Sequence, residues 1–308
     1  MPAQVIFGDI NKLDPDELRS ALIAAGITRI DTAARYQNGE SEKKIGGAKF
    51  PQDFTIDTKI FTTIPAHKTL STEAIGKSIT NSLHVLGVEQ VNVLYCHAPD
   101  FATSIAEQAQ AFNHHYIEGR FRYLGVSNFD AEMLQEWLDI ADREGFVKPT
   151  VFEGQYNLFC RSYEETLFPL LRKHSIHFIA YSPLAGGFLL GNFTAQGARA
   201  GSRFAVQTPY TKWYDTPAMH EAIKKVKAVG EKTGLGLDEL SLRWLKYHSA
   251  LGEEDAMILG ASKPTQIEKN VAQLAKGPLE DSLAAELNAM WEGIKEDGAK
   301  IIDYEYLR

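Results

Sequence analysis

Short runs rich in Val, Ile, Phe and Tyr recur along the chain at intervals of roughly thirty residues, each followed by a longer segment with helical spacing. The runs are Val5 to Phe7, Thr28 to Asp31, Thr55 to Lys59, Val91 to Cys96, Phe121 to Val126, Val151 to Gln155, His177 to Tyr181 and Ala256 to Leu259. Between them lie apolar stripes at helical periodicity: Ile75, Ile79, Leu83 and Leu86; Ile105, Ala109, Phe112 and Tyr116; Leu134, Leu138 and Ala141. Each stripe can cover the outside of a sheet. Alternating strand and helix implies a parallel sheet. No G-x-G-x-x-G follows the first strand, so the pattern predicts a (β/α)8 TIM barrel rather than an open doubly wound sheet. A single domain over 1–308 is expected, because barrels of this kind reach such a length as one unit.

Two segments break the rhythm. Ser182 to Asp215, after the seventh strand, carries Gly186, Gly187, Gly191, Gly197 and Gly201 together with Phe188, Phe193, Phe204, Trp213 and Tyr214. Its length and aromatic content predict a lid over the site. Leu279 to Lys295 reads as an added C-terminal amphipathic helix, with Leu283, Leu287, Met290 and Ile294 on one face, followed by a tail ending Tyr304 to Arg308.

Composition narrows the class. The 308 residues are 44% hydrophobic and 23% charged, enough apolar material for a large core. Net charge is −8 with both signs mixed throughout, so there is no basic stripe to suit nucleic acid or an anionic membrane. The start, MPAQVIFGDINK, lacks a basic segment followed by an apolar run, and no stretch approaches about 18 uninterrupted apolar residues. Cys96 and Cys160 stand far apart without zinc spacing. A reduced, cytoplasmic compartment is the simplest expectation.

The candidate chemistry centres on Arg29 to Gly47, RIDTAARYQNGESEKKIGG. Asp31 ends the second strand, Tyr36 follows on a polar loop, Lys59 ends the third strand and His97 follows the fourth. Taken singly, Asp31 could cap a helix, Tyr36 could be a half-buried loop aromatic, and His97 could be a satisfied structural histidine. Lys59 is harder to set aside, because a buried ammonium without a partner is costly. In a barrel all four converge on the C-terminal face, where Asp31 can pair with Lys59. An ammonium beside a phenol lowers its pKa, so Tyr36 can act as a proton donor, and His97 can orient a carbonyl oxygen.

Competing sites fail on spacing. Cys96 and His97 are successive strand residues that point to opposite faces. His114 and His115 are helix neighbours rather than a metal pair, and His220 with Glu221 lacks a second histidine, so no metal is expected. Asp57 lies two residues before Lys59 and must share its inward face, which predicts a buried hydrogen bond or ion pair below the other four. The seventh strand runs into Ser182-Pro-Leu-Ala-Gly-Gly187, and the eighth into Gly260-Ala-Ser-Lys263 before a helix near Pro264. These are the positions at which barrels bind phosphate.

With these residues in place the chain resembles the aldo-keto reductase superfamily, and within it the aflatoxin aldehyde reductase branch. The matching motifs are IDTAARYQNGESEKKIGG, DTKI, YCHAPD, YLGVSNF, Gln155-Tyr156-Asn157, AYSPLAGGFLLG, ILGASKPTQIEKN and the closing tyrosine and arginine, in the family's order over nearly the whole chain. The resemblance implies NADPH-dependent reduction of aldehydes and ketones, dialdehydes, dicarbonyls or semialdehydes among them, to alcohols. It implies a catalytic tetrad of Asp31, Tyr36, Lys59 and His97, with Tyr36 protonating the oxygen as hydride reaches the carbonyl carbon. Ser127, Asn128 and Gln155 would hold the nicotinamide amide, Tyr181 would stack on the ring, and Ser182, Leu184 and Gly186 would line the pyrophosphate. Ser262, Lys263, Gln266, Glu268 and Asn270 would meet the adenosine end, with Ser262 and Lys263 favouring a 2′-phosphate although Gln266 stands where many members carry arginine.

For the substrate, the lid residues Phe193, Phe204, Trp213 and Tyr214 suggest aromatic or apolar aldehydes and dicarbonyls, and Arg308, helped by Lys212, a substrate carboxylate. The alternative from the same superfamily is a cofactor-binding regulatory subunit with little turnover, like the channel-associated β subunits. Oligomeric state stays open, the homodimer being common in the branch.

Overall fold

The computed structural model describes residues 3–8, 10, 13–63, 67–206 and 208–302. Eight parallel strands close into a barrel. They are β1 (Gln4–Gly8), β2 (Arg29–Asp31), β3 (Thr55–Lys59), β4 (Val91–Cys96), β5 (Phe121–Ser127), β6 (Pro149–Gln155) and β7 (His177–Tyr181), then, beyond a small hairpin of β8 (Phe193–Thr194) and β9 (Gly197–Ala198), β10 (Ala256–Leu259). Neighbours follow chain order from β2 to β7, and β10 bridges β7 to β1. The eight expected runs are these barrel strands, their ends moved by at most two residues.

Parallel neighbours need crossovers, and the chain builds them as capped helices. Ser71 accepts from the backbone N–H of Ala74 to start Thr72–Leu86, and Gly87, at φ 69°, stops it. Asp130 and Gly145 do the same for Ala131–Glu144. The stripes on these helices, Ile75 and Ile79 on the first, Leu134 and Leu138 on the second, are buried against the outer face of the strands.

Strand alternation sends the other set of side chains inward. There Ile6, Val93, Tyr95, Val151, Ile179, Ala256 and Ile258 form a separate small core. Tyr95 fills so much of it that a Cβ on Gly125 of β5 would lie 2.3 Å from its ring. With the lower barrel plugged in this way, polar side chains gather at its upper, C-terminal end.

The lid segment is folded rather than structureless. It forms a tight 3-10 stretch (Ala185–Leu190), the hairpin, a second 3-10 turn (Arg203–Ala205) and a short helix (Pro209–Tyr214). Phe193, Phe204 and Tyr214, expected to face a ligand, are instead buried around Phe188, with ring centroids 6.4, 6.1 and 5.0 Å from it. Burying these rings is what holds the segment down. The expected single C-terminal helix is broken: Asp281–Ala289 is helical, Trp291–Gly293 is a 3-10 turn, and Lys295–Ala299 follows as a short helix. Tyr304 to Arg308 lie outside the described residues. Among the described residues no helix is long and apolar enough to cross a membrane.

Candidate active site

Tyr36 is carried on a loop that the sequence pins at both ends. Asp31 closes β2, the next residue Thr32 shares a hydrogen bond of 2.8 Å with Ser41, and Glu42 accepts from Thr58 (2.6 Å) and Ser82 (3.2 Å). Between these anchors Gln37, Asn38 and Gly39 all take positive φ, at 52°, 56° and 89°. Such strained runs persist where the surroundings over-determine them, often at functional sites. The loop lays the Tyr36 ring edge-on to His97, with centroids 5.6 Å apart, and 5.3 Å from the Lys59 ammonium.

Lys59 is wholly buried. Its ammonium donates to both carboxylate oxygens of Asp31 and to the carbonyl of Thr32 at 3.1 Å. A second carboxyl reaches it from across the barrel: Glu153 Oε2 lies 3.2 Å away. Burial opposes charge on Lys59, but Asp31 and Glu153 overcome it and hold the amine above its ordinary range. Burial lifts Asp31 to about 6 despite Lys59, and burial together with the Asp31 charge lifts Glu153 to about 8. His97 is pushed well below its ordinary value by burial, with Lys59 and Arg35 adding to the effect, so its imidazole is neutral at neutral pH.

These groups stand at the bottom of one cavity of about 940 Å³, at the upper end of the roughly 300–1,000 Å³ usual for ligand sites. Asp31, Tyr36 and His97 line it, and Lys59 lies just behind them. Ser127, Asn128, Tyr181, Ser182, Leu184 and Gly186 continue the wall, and Ser262, Gln266 and Asn270 complete it on the far side. Asn128, at φ 60°, donates to the His97 carbonyl at 3.0 Å and accepts from the Tyr181 hydroxyl at 2.9 Å, which anchors the Tyr181 side chain on the cavity wall. Gln266 accepts from the backbone N–H of Ser262 (2.8 Å) and of Lys263 (3.3 Å), folding the loop onto the start of helix Pro264–Leu274.

Two observations decide what the chain is similar to as a whole. The model of the aldo/keto reductase family matches residues 9–292. An oxidoreductase named sirO from Leptosphaeria maculans is 33% identical over 298 residues, covering 95% of this chain and 90% of the relative. The chain belongs to the aldo/keto reductase family. Aflatoxin B1 aldehyde reductase member 2 from Homo sapiens is 31% identical over 287 residues, 88% of this chain and 80% of that one. A probable voltage-gated potassium channel subunit beta from Arabidopsis thaliana is 33% identical over 291 residues, 90% and 87% of the two chains. As a member of this family the protein is an oxidoreductase of carbonyl compounds.

Several residues of this reductase stand elsewhere than the sequence suggests. Gln155 is buried beneath Tyr214, donating to its hydroxyl at 3.1 Å, and is not on the cavity wall. The side chain on that wall is Glu153, two residues earlier on the same face of β6. Tyr214 is fully buried and also receives a hydrogen bond from Asn157. Trp213 is half-buried and packs edge-on to Tyr210, which does line the cavity and shares a 2.6 Å hydrogen bond with Ser182. Lys263 and Glu268 are exposed and off the wall, whereas Lys269, ion-paired to Asp238, lies on it. Arg199 and Arg203 also reach the cavity from the lid. Arg308 lies outside the described residues.

Proposed function

We propose that this protein reduces aldehydes and ketones to alcohols with NADPH, using Tyr36 as the general acid. The observation that carries the reading is the buried Lys59–Asp31 pair set under the Tyr36 ring at the floor of the cavity, with neutral His97 beside it. A cation next to a phenol favours its ionised form, so the phenol gives up its proton more readily to a forming alkoxide. Asp31 keeps that cation in place, and without it a buried ammonium would be untenable. Neutral His97 can donate one N–H to the carbonyl oxygen, orienting it toward the Tyr36 hydroxyl.

The wall suits a dinucleotide. Tyr181 offers an aromatic ring, Ser127 a hydroxyl and Asn128 an amide oxygen, and the turn from Ser182 to Gly187 takes positive φ at Ser182, Ala185, Gly186 and Gly187. Consecutive turns of this kind expose backbone N–H groups that attract phosphate oxygens. Bound there, the reduced nicotinamide supplies the hydride. Ser262 and the ammonium groups of Lys263 and Lys269 are the groups we assign to a 2′-phosphate, hence NADPH over NADH. Substrates are aromatic or apolar aldehydes, dicarbonyls or semialdehydes, with Arg199 and Arg203 on the cavity wall available to a substrate carboxylate.

We assign the chain a single domain in which the free, buried Cys96 and Cys160 fit a reduced cytoplasmic setting. A cofactor-holding subunit with little turnover is the second reading, carried by the likeness to the plant channel subunit. The test is NADPH oxidation over a panel of a nitrobenzaldehyde, succinic semialdehyde and diketones. Steady turnover supports the enzyme, a single oxidation of bound cofactor supports the subunit, and no oxidation with any of them rejects the reductase reading.

A further inference from the structure

Two carboxyl groups meet at the cavity floor, Asp31 from β2 and Glu153 from β6, and one ammonium stands between them. Asp31 takes the hydrogen bonds of Lys59 through both of its oxygens. Glu153 Oε2 comes within 3.2 Å of the same nitrogen as an ion-pair contact, without the alignment of the hydrogen bonds that Asp31 receives. Glu153 is only 2% exposed, and what it shows faces the cavity. On the neighbouring strands it is level with Ser127 of β5 and Ile179 of β7, one inward step below Tyr181. It therefore sits at the level of the residues proposed above to hold the nicotinamide.

The charges facing Glu153 are few and come from β2, β3 and β4: Asp31, Asp57 and Lys59 act on it, and it acts in turn on Lys59 and Tyr95. Full ionisation of Asp31 and Glu153 against one ammonium would leave an uncompensated negative charge in a buried site. Asp31 holds the ammonium, so the retained proton falls to Glu153, in keeping with its carboxyl being lifted to about 8.

We propose that Glu153 is a positioning residue that matches the charge of the site to the redox state of the nicotinamide, keeping its proton against the neutral reduced ring and releasing it against the cationic oxidised ring. The inference rests on the reading of the cavity as a nicotinamide dinucleotide site. The proton leaves the carboxyl O–H for bulk solvent as the oxidised form binds, and the resulting carboxylate faces the ring's positive charge. By linkage, rising pH tightens the oxidised form selectively, within the roughly 5–150-fold range of ordinary coupling between sites.

The experiment is titration calorimetry of NADP+ and of NADPH in two buffers of different ionisation heat, near pH 7.5 (about half a unit below the raised value). The 2′-phosphate is common to both forms and cancels in the difference. Expected is release of a substantial fraction of a proton more with NADP+ than with NADPH, and loss of that difference in Glu153→Gln, which still binds both forms. Equal proton release by the two forms overturns the proposal, as does a Glu153→Gln protein that keeps the difference. The wild-type comparison decides alone if the variant does not fold. Absence of binding by either form overturns the dinucleotide site itself and this inference with it.

Discussion

Arg29, half-buried, and Asp57, fully buried, form an ion pair one layer beneath Lys59 and Asp31, with Arg29 Nε donating to Asp57 Oδ2 at 2.6 Å. Asp57 also accepts from Asn92 Nδ2 at 2.8 Å and from the backbone N–H of Val93 at 3.2 Å, so three strands converge on one carboxylate. The hydrogen bond or ion pair expected below the tetrad is thus present, and it ties β2, β3 and β4 together under the catalytic candidates.

Removing one partner of such a pair strands the other. Asp57→Ala is expected to cost about 2–4 kcal/mol of stability, the lower end reflecting the partial exposure of Arg29. Chemical denaturation measures it. A loss below about 0.5 kcal/mol, within the range of an ordinary surface change, would show that the pair is idle.

Stability should fall as pH rises across the neutral range. Asp31 and Glu153 have folded values of about 6 and about 8 against ordinary values of 3.8 and 4.5. Between those limits the folded chain binds more protons than the unfolded chain, so the slope of stability against pH is negative. Asp57 and Glu42, also raised by burial, act in the same direction. Lys59 does not interfere, because the stability it contributes is lost only at higher pH. Below about pH 7 the histidines lowered by burial, His97, His115 and His248, act in the opposite direction, so the decline in melting temperature is expected from about pH 7 to about pH 8.5 and is absent in Glu153→Gln. A rising or flat wild-type curve contradicts this.

Gly186 is held at φ +65°, and a Cβ there would lie 2.6 Å from the ring of Tyr210. Gly186→Ala therefore strains the turn by about 1 kcal/mol and pushes Tyr210 off the Ser182 hydroxyl. Dinucleotide affinity measured by fluorescence quenching is expected to weaken about tenfold, equivalent to about 1.4 kcal/mol. Unchanged affinity would place the turn outside the cofactor site.

The frame of this fold was legible because its signals are redundant. Each barrel strand is an apolar run, and Asp31, Lys59 and His97 are conspicuous as polar residues at the ends of such runs. Glu153 is hidden in the sequence for the opposite reason: in VFEGQ it has the same inward parity as Gln155, and only the depth of the barrel decides which of them meets the cavity. Strand parity carried the signal. The short helix Pro209–Tyr214 shows a second limit, since Tyr210 and Tyr214 share a helical face and only packing against Phe188 sends one inward. The Arg29 pair was legible only in part: Asp57 had to face inward, but its partner could have come from any neighbouring strand.

The central claim is that Tyr36, whose ring centroid lies 5.3 Å from the Lys59 ammonium, delivers from its hydroxyl the proton that completes carbonyl reduction. Its most direct test is kcat for aldehyde reduction by Tyr36→Phe, with NADPH affinity and melting temperature measured on the same protein. A fall in kcat of about 10²–10⁴, with affinity and stability kept, is the predicted result. A variant that turns over at the wild-type rate would contradict it.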